Sequence, residues 1–405
     1  MSDHLARRTA IVVFLAFAFA YFLSAWVRAI TATLSPTLTQ EFALNARDLG
    51  LLAGGFFFGF AATQLPLGTW LDRHGPKATI LSLLALAVAG CVAFSLASGF
   101  WQLLAARVLC GVGVSACLMA PLTGFRRWLA PAVQLRANSW MLMTGSLGMV
   151  ASTLPVQWLV PVIGWRPLFW GLAVAIALAM AVIAWNVPGG AVPRQSHVDS
   201  KGGYAEVWRH PYFRRMAPIA FFSYGGLIAV QTLWAGPWLV RVAGYPPLEA
   251  AGGLFAINVS MLCAFWSWGM LNPWLARKGL TTDRLIATGT PLSFIVLAAI
   301  IIAGPHAGAG ALALFCVAST FVSLAQPAVG MVFSPAVAGR ALSAFNLVIF
   351  GGVFVIQWGI GLLIDGFSAA GLGELDAFRA ALAVFLACSV ISYGYFLLAK
   401  DNSRQ

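Results

Sequence analysis

The stretch that decides the fold is Gln64-Leu-Pro-Leu-Gly68-Thr-Trp-Leu-Asp72-Arg73-His-Gly75-Pro-Lys77. It lies between two apolar runs, 49–71 and 78–97, each long enough to cross a bilayer, which takes roughly 20 apolar residues. The charges therefore occupy a very short turn between two membrane spans. Gly75 permits the positive φ that such a turn needs, and Gly68 lets two backbones approach closely. Asp72 is expected beside the N-terminus of the next helix, where the dipole favours a negative charge.

The composition is that of a polytopic membrane protein. The chain has 405 residues, 60% hydrophobic and 9% charged, with a mean hydropathy of +0.87. Soluble domains carry about 25% charged residues. The net charge of +12 does not indicate a nucleic-acid partner, because basic residues on one side of a membrane explain it. The six cysteines lie in apolar runs and are predicted to be small buried side chains: Cys91, Cys110, Cys117, Cys263, Cys316 and Cys388.

Twelve helical spans are predicted, because lipid offers no partner to an unpaired backbone group. The fold class is therefore an all-α membrane protein of two six-helix bundles, 1–187 and 216–405, joined by a cytoplasmic linker, 188–215. Within the linker, residues 204–215 form either a short amphipathic helix at the membrane surface or a plain solvated segment. The predicted spans are 9–35, 49–71, 78–97, 101–123, 137–160, 167–187, 216–240, 250–275, 284–303, 309–334, 341–364 and 378–399.

The basic residues predict the orientation. With both termini in the cytoplasm, most of the 24 lysines and arginines fall on the inner side. The outer loops hold only Arg47, Arg166, Arg241 and Arg379. The predicted location is the bacterial inner membrane, with lipid around the protein and the protein a monomer.

The two halves repeat. An offset of 204 residues carries Asp72-Arg73-His74-Gly75 onto Ala276-Arg277-Lys278-Gly279, and Gly148 onto Gly352. Two six-span halves related in this way are the parallel repeat of facilitator-type transporters. The second copy lacks the aspartate.

These motifs resemble those of the major facilitator superfamily. Gly-x-x-x-Asp-Arg-x-Gly-x-Lys at 68–77 resembles its signature loop between spans 2 and 3. Arg107-x-x-x-Gly-x-Gly113 resembles a pattern of its span 4, and Gly164-Trp-Arg-x-x-Phe169 resembles the start of its span 6. The resemblance implies a central cavity and alternating access. It also implies that the signature residues control the conformational change: Gly68, Asp72, Arg73, Gly75 and Lys77.

Two ionisable residues lie well inside predicted spans, Arg28 on span 1 and Arg107 on span 4. A buried charge is costly in a membrane, so each is expected to face a partner or a water-lined cavity. No Asp or Glu lies inside a span to neutralise them. This favours an anionic substrate, because arginine binds carboxylate or phosphate in a bidentate manner. The alternatives are that Arg107 binds backbone carbonyls and that Arg28 reaches the outer interface.

A narrower resemblance concerns span 1. Arg28 followed by Pro36 is similar to span 1 of the organic-anion:proton symporters of this superfamily, which implies that Arg28 binds a substrate carboxylate. The same family carries an Asp and a Glu for proton coupling, where this chain has Val27 and Val114. The anion-binding half of the pattern is thus kept without the coupling half, and we expect weak or absent dependence on a proton gradient.

Polar residues on spans 7 and 10 are further candidates for the substrate site. Tyr224, Gln231 and Gln326 are predicted to face Arg28, although each is as well explained by hydrogen bonds between helices. Enzyme chemistry finds no support, since there is no His cluster, carboxylate pair or phosphate-binding loop. No cofactor or metal is predicted.

The predicted partner is a small anionic or polar organic solute, moved by secondary active or facilitative transport. One alternative is transport of copper or a metal chelate, since soft sulfur ligands suit Cu(I). Another is a membrane sensor or assembly factor on the same scaffold. The sulfur cluster that suggests copper is Cys110, Cys117, Met119, Met141 and Met143.

Overall fold

The computed structural model describes residues 5–189 and 204–399, and this part of the chain is almost entirely helical. The first half contains span 1 (Arg7–Phe42), span 4 (Phe100–Trp128), span 5 (Pro131–Ala151 and Leu154–Ile163) and span 6 (Trp165–Asn186). Spans 2 and 3 are formed by Ala46–Ala62 and Gln64–Leu96. The second half contains Pro211–Val242, Pro247–Arg277, Thr282–Ala303, Ala309–Val332, Pro335–Ala369 and Glu374–Leu398, which are spans 7 to 12.

The predicted fold class is confirmed. Within the described residues, ten helices are long and apolar enough to cross a membrane, or eleven if the bent pair of span 5 counts as one. The twelfth is Ala46–Ala62, which has only 17 residues. It continues through Thr63, whose φ of −85° and ψ of −12° are close to helical, into the helix that begins at Gln64. Twelve spans result.

The chain reverses direction at Gly75, as the motif predicts. Gly75 has φ 77° and ψ 168°, a backbone conformation that residues with a side chain rarely adopt. Pro76 follows at once and starts the next helix, which is a favoured position because its missing N–H would have no helical partner there. Span 2 therefore ends just before Gly75, and span 3 runs from there to Leu96.

Span 1 extends further than predicted. Its helix runs to Phe42 through Pro36. The proline leaves the carbonyl of Ala32 without its helical partner, and the Ser35 hydroxyl donates to that carbonyl at 2.8 Å. Arg28 thus lies 14 residues before the end of the helix, or about 21 Å at 1.5 Å per residue. A span ending at 35 places Arg28 roughly 12 Å from the outer end at the same rise per residue, and the longer helix places it deeper.

Span 7 also begins earlier than predicted. It starts at Pro211 rather than 216, with the His210 side chain accepting from the backbone N–H of Tyr212 at 3.2 Å. Arg215 forms an ion pair of 2.8 Å with Asp283 of span 9, which fixes this first turn. Before it, Tyr204–Arg209 forms a short separate helix, while residues 190–203 of the predicted linker lie outside the described part. The boundaries 1–187, 188–215 and 216–405 remain a prediction.

The helical assembly has two ends, a near face and a far face. The near face holds the start of span 1 and the turn at Gly75, and there the Leu5 N–H donates to the Trp128 carbonyl. The far face holds the opposite helix ends. There, Arg166 at the start of span 6 donates to the Ala97 carbonyl at the end of span 3. Arg379, at the start of span 12, donates in the same way to the Ile301 carbonyl of span 9, as expected of a repeat.

Candidate functional site

Arg28 lies midway along span 1, against aromatic rings from both halves of the chain. Its guanidinium carbon is 5.5 Å from the ring centroid of Phe60 on span 2 and 6.0 Å from that of Phe350 on span 11. The two rings contact each other, with centroids 4.5 Å apart. The Nε atom of Arg28 is inaccessible to water and has no hydrogen-bond partner among the described residues. A desolvated donor of this kind is costly unless a ligand accepts from it.

Hydroxyl groups lie beside this guanidinium. Tyr21, two turns earlier on span 1, lies beside Arg28, and Tyr224 of span 7 lies close to both. Ser24 lies on the same helix face, and within the described structure its buried hydroxyl has no hydrogen-bond partner. Cys117 of span 4 is its neighbour. The site therefore presents a cation and several hydroxyl groups, lined with aromatic rings.

Arg107 has a different environment. Its side chain is fully buried, and one guanidinium nitrogen donates to the backbone carbonyl of Val27 at 2.9 Å. Its guanidinium carbon lies 4.9 Å from the ring centroid of Phe56, one helical turn before Phe60. Nε and the second terminal nitrogen have no partner in the described part of the chain. Arg107 thus binds the backbone of span 1 directly beside Arg28, as the structural alternative for it predicted.

Within the described residues, neither Arg28 nor Arg107 has an acidic partner. Over residues 5–189 and 204–399, the ion pairs are Arg47–Asp48, Arg166–Glu41, Arg215–Asp283, Arg241–Glu374 and Arg379–Asp376. All of them lie near the ends of helices. The centre of the protein is therefore positively charged and suited to an anion.

Gln326 belongs to a chain of amides that joins the two halves. Its Nε2 donates to Oδ1 of Asn346 at 2.6 Å, and Nδ2 of Asn346 donates to Oε1 of Gln64 at 3.3 Å. Gln64 and Asn346 lie one turn closer to the near face than Phe60 and Phe350. The amide chain therefore lies between Arg28 and the near face.

Gln231 forms its hydrogen bond within the second half of the chain. Its Nε2 donates to Oδ1 of Asn258 on span 8 at 2.9 Å, and Nδ2 of Asn258 donates to the Leu254 carbonyl. Of the five sequence-predicted substrate residues, the structure brings together Arg28 and Tyr224. Arg107 is hydrogen-bonded to the Val27 carbonyl instead, Gln231 is paired with Asn258, and Gln326 is paired with Asn346.

The predicted gating residues surround the turn at Gly75. Asp72 and Arg73 are exposed, and Lys77 approaches Gly189 at the end of span 6. Tyr204 of the short linker helix donates to the Leu65 carbonyl at 3.0 Å. Burial raises the pKa of the Tyr204 hydroxyl, while its two charged neighbours act in opposite directions, Arg340 lowering that pKa and Asp72 raising it. Tyr204 thus lies near the signature aspartate and span 11 together.

The close approach predicted at Gly68 is not made in this conformation. In the described structure no atom lies within 4 Å of the position that a Cβ on Gly68 would take. On the sulfur cluster, Cys110 lies 3.9 Å from Cys91, measured between the sulfur atoms. Among residues 5–189 and 204–399, no three His, Cys, Asp or Glu side chains form a group suited to a metal ion.

Comparison with known families places this arrangement. The profile of the Major Facilitator Superfamily matches residues 17–357, most of the chain. The chain belongs to the Major Facilitator Superfamily. It is also similar over 98% of its length to a solved superfamily structure, the bacterial homologue of the human lysosomal transporter Spinster in an inward-facing, unoccupied conformation. The TM-score is 0.77 and the identity 17%, with 98% of that chain covered, so this likeness shows the fold alone.

Two curated members of the superfamily are similar in sequence. The probable sulfoacetate transporter of Cupriavidus necator is 25% identical over 248 residues, covering 56% of each chain. The 4-hydroxybenzoate transporter of Pseudomonas aeruginosa is 23% identical over 291 residues, covering 62% of this chain and 64% of that one. The alignments thus span little more than half of these relatives.

Sequence reasoning missed several residues of the site: Tyr21, Ser24, Phe60, Cys117 and Phe350. A signal for two of them exists in the sequence, because Tyr21 and Ser24 precede Arg28 at intervals that share one helix face. The rings of Phe60 and Phe350 carry no such signal, since apolar residues fill the spans on every side.

Proposed function

We propose that this superfamily member moves a small organic anion across the membrane by alternating access, and that Arg28 holds the anion's charge. The observation that carries the proposal is the Arg28 guanidinium. Within the described chain its buried Nε has no hydrogen-bond partner, and no ion pair includes it. A carboxylate would accept from this guanidinium and from the neighbouring hydroxyls. The contact would then be charge-assisted and stronger than a neutral hydrogen bond.

A flat substrate fits the surroundings of Arg28 best. Phe60 and Phe350 lie on one side of the guanidinium and the hydroxyls of Tyr21 and Tyr224 nearby. Aromatic rings bind flat, apolar bodies, whereas hydroxyl groups bind polar substituents. The 4-hydroxybenzoate named for one relative has both features, and the sulfoacetate named for the other is also an anion. We therefore infer an organic acid, with aromatic acids as the first to test.

The other predicted residues take separate roles in this proposal. Tyr224 contacts the substrate with Arg28, and Arg107 holds span 1 in position. Gln326 closes the near side through Asn346, and Gln231 stabilises the second half. Gly68, Asp72, Arg73, Gly75 and Lys77 control the conformational change at the near face. That face is cytoplasmic if the charge bias is followed, in an inner-membrane protein that acts as a monomer in lipid.

Binding can be tested on the purified protein before any transport assay. A thermal-shift series compares benzoate, 4-hydroxybenzoate and sulfoacetate with benzamide, which has the shape of benzoate without its charge. At least one acid is expected to raise Tm in a concentration-dependent way, because a ligand that binds the native state stabilises the protein. Benzamide is expected to leave Tm unchanged. The acid that binds is then used as labelled substrate in proteoliposomes.

The result that overturns the proposal is equally specific. If the acids leave Tm unchanged while Cu(I) or an uncharged solute raises it and is taken up, Arg28 is not a charge anchor for cargo. If acids bind but are not taken up under any imposed gradient, the protein is a sensor on a transporter scaffold.

A further inference from the structure

A carboxylate of the second half binds the start of a helix in the first half at the far face. Oδ1 of Asp365, near the end of span 11, accepts from the backbone N–H of Ala46 at 3.1 Å. Oδ2 accepts from the backbone N–H of Arg47 at 2.8 Å. Ala46 and Arg47 are the first two residues of span 2.

These two amides need an outside partner, because the first N–H groups of a helix have none within it. The third amide is provided for locally, since Asp48 N–H donates to the Asn45 side chain at 2.7 Å. Asp365 therefore completes the cap of span 2 from across the boundary between the two halves. Its negative charge also lies at the positive end of the helix dipole, which strengthens the contact.

The backbones of spans 2 and 11 touch directly below this cap. A Cβ on Gly361, one turn before Asp365, would lie 2.3 Å from the Ala46 carbonyl oxygen. A Cβ on Gly50 would lie 2.3 Å from the Gln357 carbonyl oxygen. Spans 2 and 11 thus meet backbone to backbone at the far face.

A vestibule opens on the far face, above a close contact between spans 1 and 7. A cavity of about 230 Å³ opens between spans 1, 2 and 7, with Thr39, Gln40 and Arg241 among its lining residues. Its floor is closed beside Ser35, where a Cβ on Gly236 would lie 2.6 Å from the Ala32 carbonyl oxygen. Arg28 lies one turn deeper in span 1 than Ala32, so this contact lies between Arg28 and the vestibule.

We propose that Asp365 is a gating residue: its carboxylate holds the far face closed by capping span 2, and releases it when the halves separate. On release, water takes over the amides of Ala46 and Arg47, so opening loses the charge–dipole contact without stranding buried donors. This assignment rests on the alternating access proposed above, but it does not depend on which solute is carried.

The test measures the conformation of the far face directly. Spin labels at Gln40→Cys and Leu372→Cys, both exposed on the far face, report the separation of the two halves by pulsed electron resonance. The background carries Cys263→Ser and Cys388→Ser, because these are the native cysteines that are not buried. Asp365→Asn and Asp365→Ala are expected to raise the ratio of the long-distance to the short-distance population by roughly five- to tenfold.

Two controls make the outcome decisive. Asp376→Asn removes another far-face carboxylate, one that pairs with Arg379 inside its own half, and is expected to leave the distances unchanged. Gly361→Ala forces the backbones apart and shows that the labels detect opening. If Gly361→Ala shifts the distances and neither Asp365 variant does, Asp365 is not a gate. If the Asp365 variants shift them while no anion binds to the protein, the gate stands and the proposed cargo falls.

Discussion

The guanidinium of Arg107 donates to the backbone carbonyl of Val27, so that one arginine holds span 1 at the residue next to the other. Each arginine also lies over a ring of span 2, Arg107 over Phe56 and Arg28 over Phe60, and these rings stack with centroids 6.4 Å apart. The two cations thus share a support but face different partners. Arg107 faces protein backbone, and Arg28 faces the boundary between the halves.

The role of Arg107 can be tested by two substitutions of different size. Arg107→Met keeps most of the volume and removes a buried, unneutralised charge, so Tm is expected to stay constant or rise. Arg107→Ala leaves a cavity between spans 1, 2 and 4 and is expected to lower Tm by several degrees. Thermal unfolding in one detergent measures both. If Arg107→Met lowers Tm strongly and Arg107→Ala lowers it no further, the charge itself stabilises the fold.

Arg28 is expected to matter for binding rather than for folding. Arg28→Ala removes charge-assisted hydrogen bonds to the anion, an affinity loss of roughly tenfold to a hundredfold. Arg28→Lys should recover only part of this, because an ammonium group makes no bidentate contact. Titration of the purified variants by calorimetry measures the affinity, with the exposed Arg284→Ala as a matched control. A well-folded Arg28→Ala variant with unchanged affinity would make Arg28 structural.

The backbone contact of spans 2 and 11 predicts a sharp difference between two neighbouring glycines. Gly361→Ala places a Cβ 2.3 Å from the Ala46 carbonyl oxygen, whereas in the described structure a Cβ on Gly359 meets no atom within 4 Å. Both changes raise helix propensity equally. Overpacking in Gly361→Ala is expected to reduce the population of molecules with a closed far face by roughly fivefold to a hundredfold. Uptake is expected to slow accordingly. Uptake at the same rate in Gly361→Ala and Gly359→Ala would show that this closure is not part of the cycle.

Asp72 is predicted to affect the rate of transport and not the affinity. It lies at the near-face turn, close to Tyr204, whereas Arg28 lies near the middle of span 1. Asp72→Asn removes one charge at a helix terminus, which should slow uptake by roughly two- to fivefold. Tyr204→Phe, which loses the hydrogen bond to the Leu65 carbonyl, is expected to slow it as well. Initial rates and binding constants are measured on the same preparations. Normal rates with much weaker binding would contradict this.

Weak dependence on a proton gradient is also predicted. Val27 and Val114 occupy the positions where the resembling symporters carry acidic residues, and no described ion pair includes Arg28 or Arg107. Uptake into proteoliposomes at a clamped membrane potential should therefore survive a protonophore. Complete loss of uptake under that condition would indicate proton coupling through another acid, and Asp365 and Asp48 would be the first to replace.

Much of the fold follows from the sequence alone. A bilayer leaves little choice to an apolar run of about 20 residues, so twelve helical spans and the reversal at Gly75 were predictable. Span ends were less so. Pro36 and Pro211 were expected outside the membrane spans, but Ser35 satisfies the carbonyl freed by Pro36, and Pro211 occupies the first turn of span 7. Such local hydrogen bonds decide where a helix ends, and hydropathy does not report them.

The site divides in the same way. The sequence by itself determined that two arginines lie inside predicted spans that contain no Asp or Glu, because the residue types and the positions of the apolar runs are both given by the sequence. Only the tertiary structure decided that Arg107 binds the Val27 carbonyl, that Gln326 pairs with Asn346, and that Phe60 and Phe350 meet beside Arg28. Those contacts join helices far apart in the chain. Which faces meet depends on the packing of whole helices and on glycines such as Gly361, not on any local pattern.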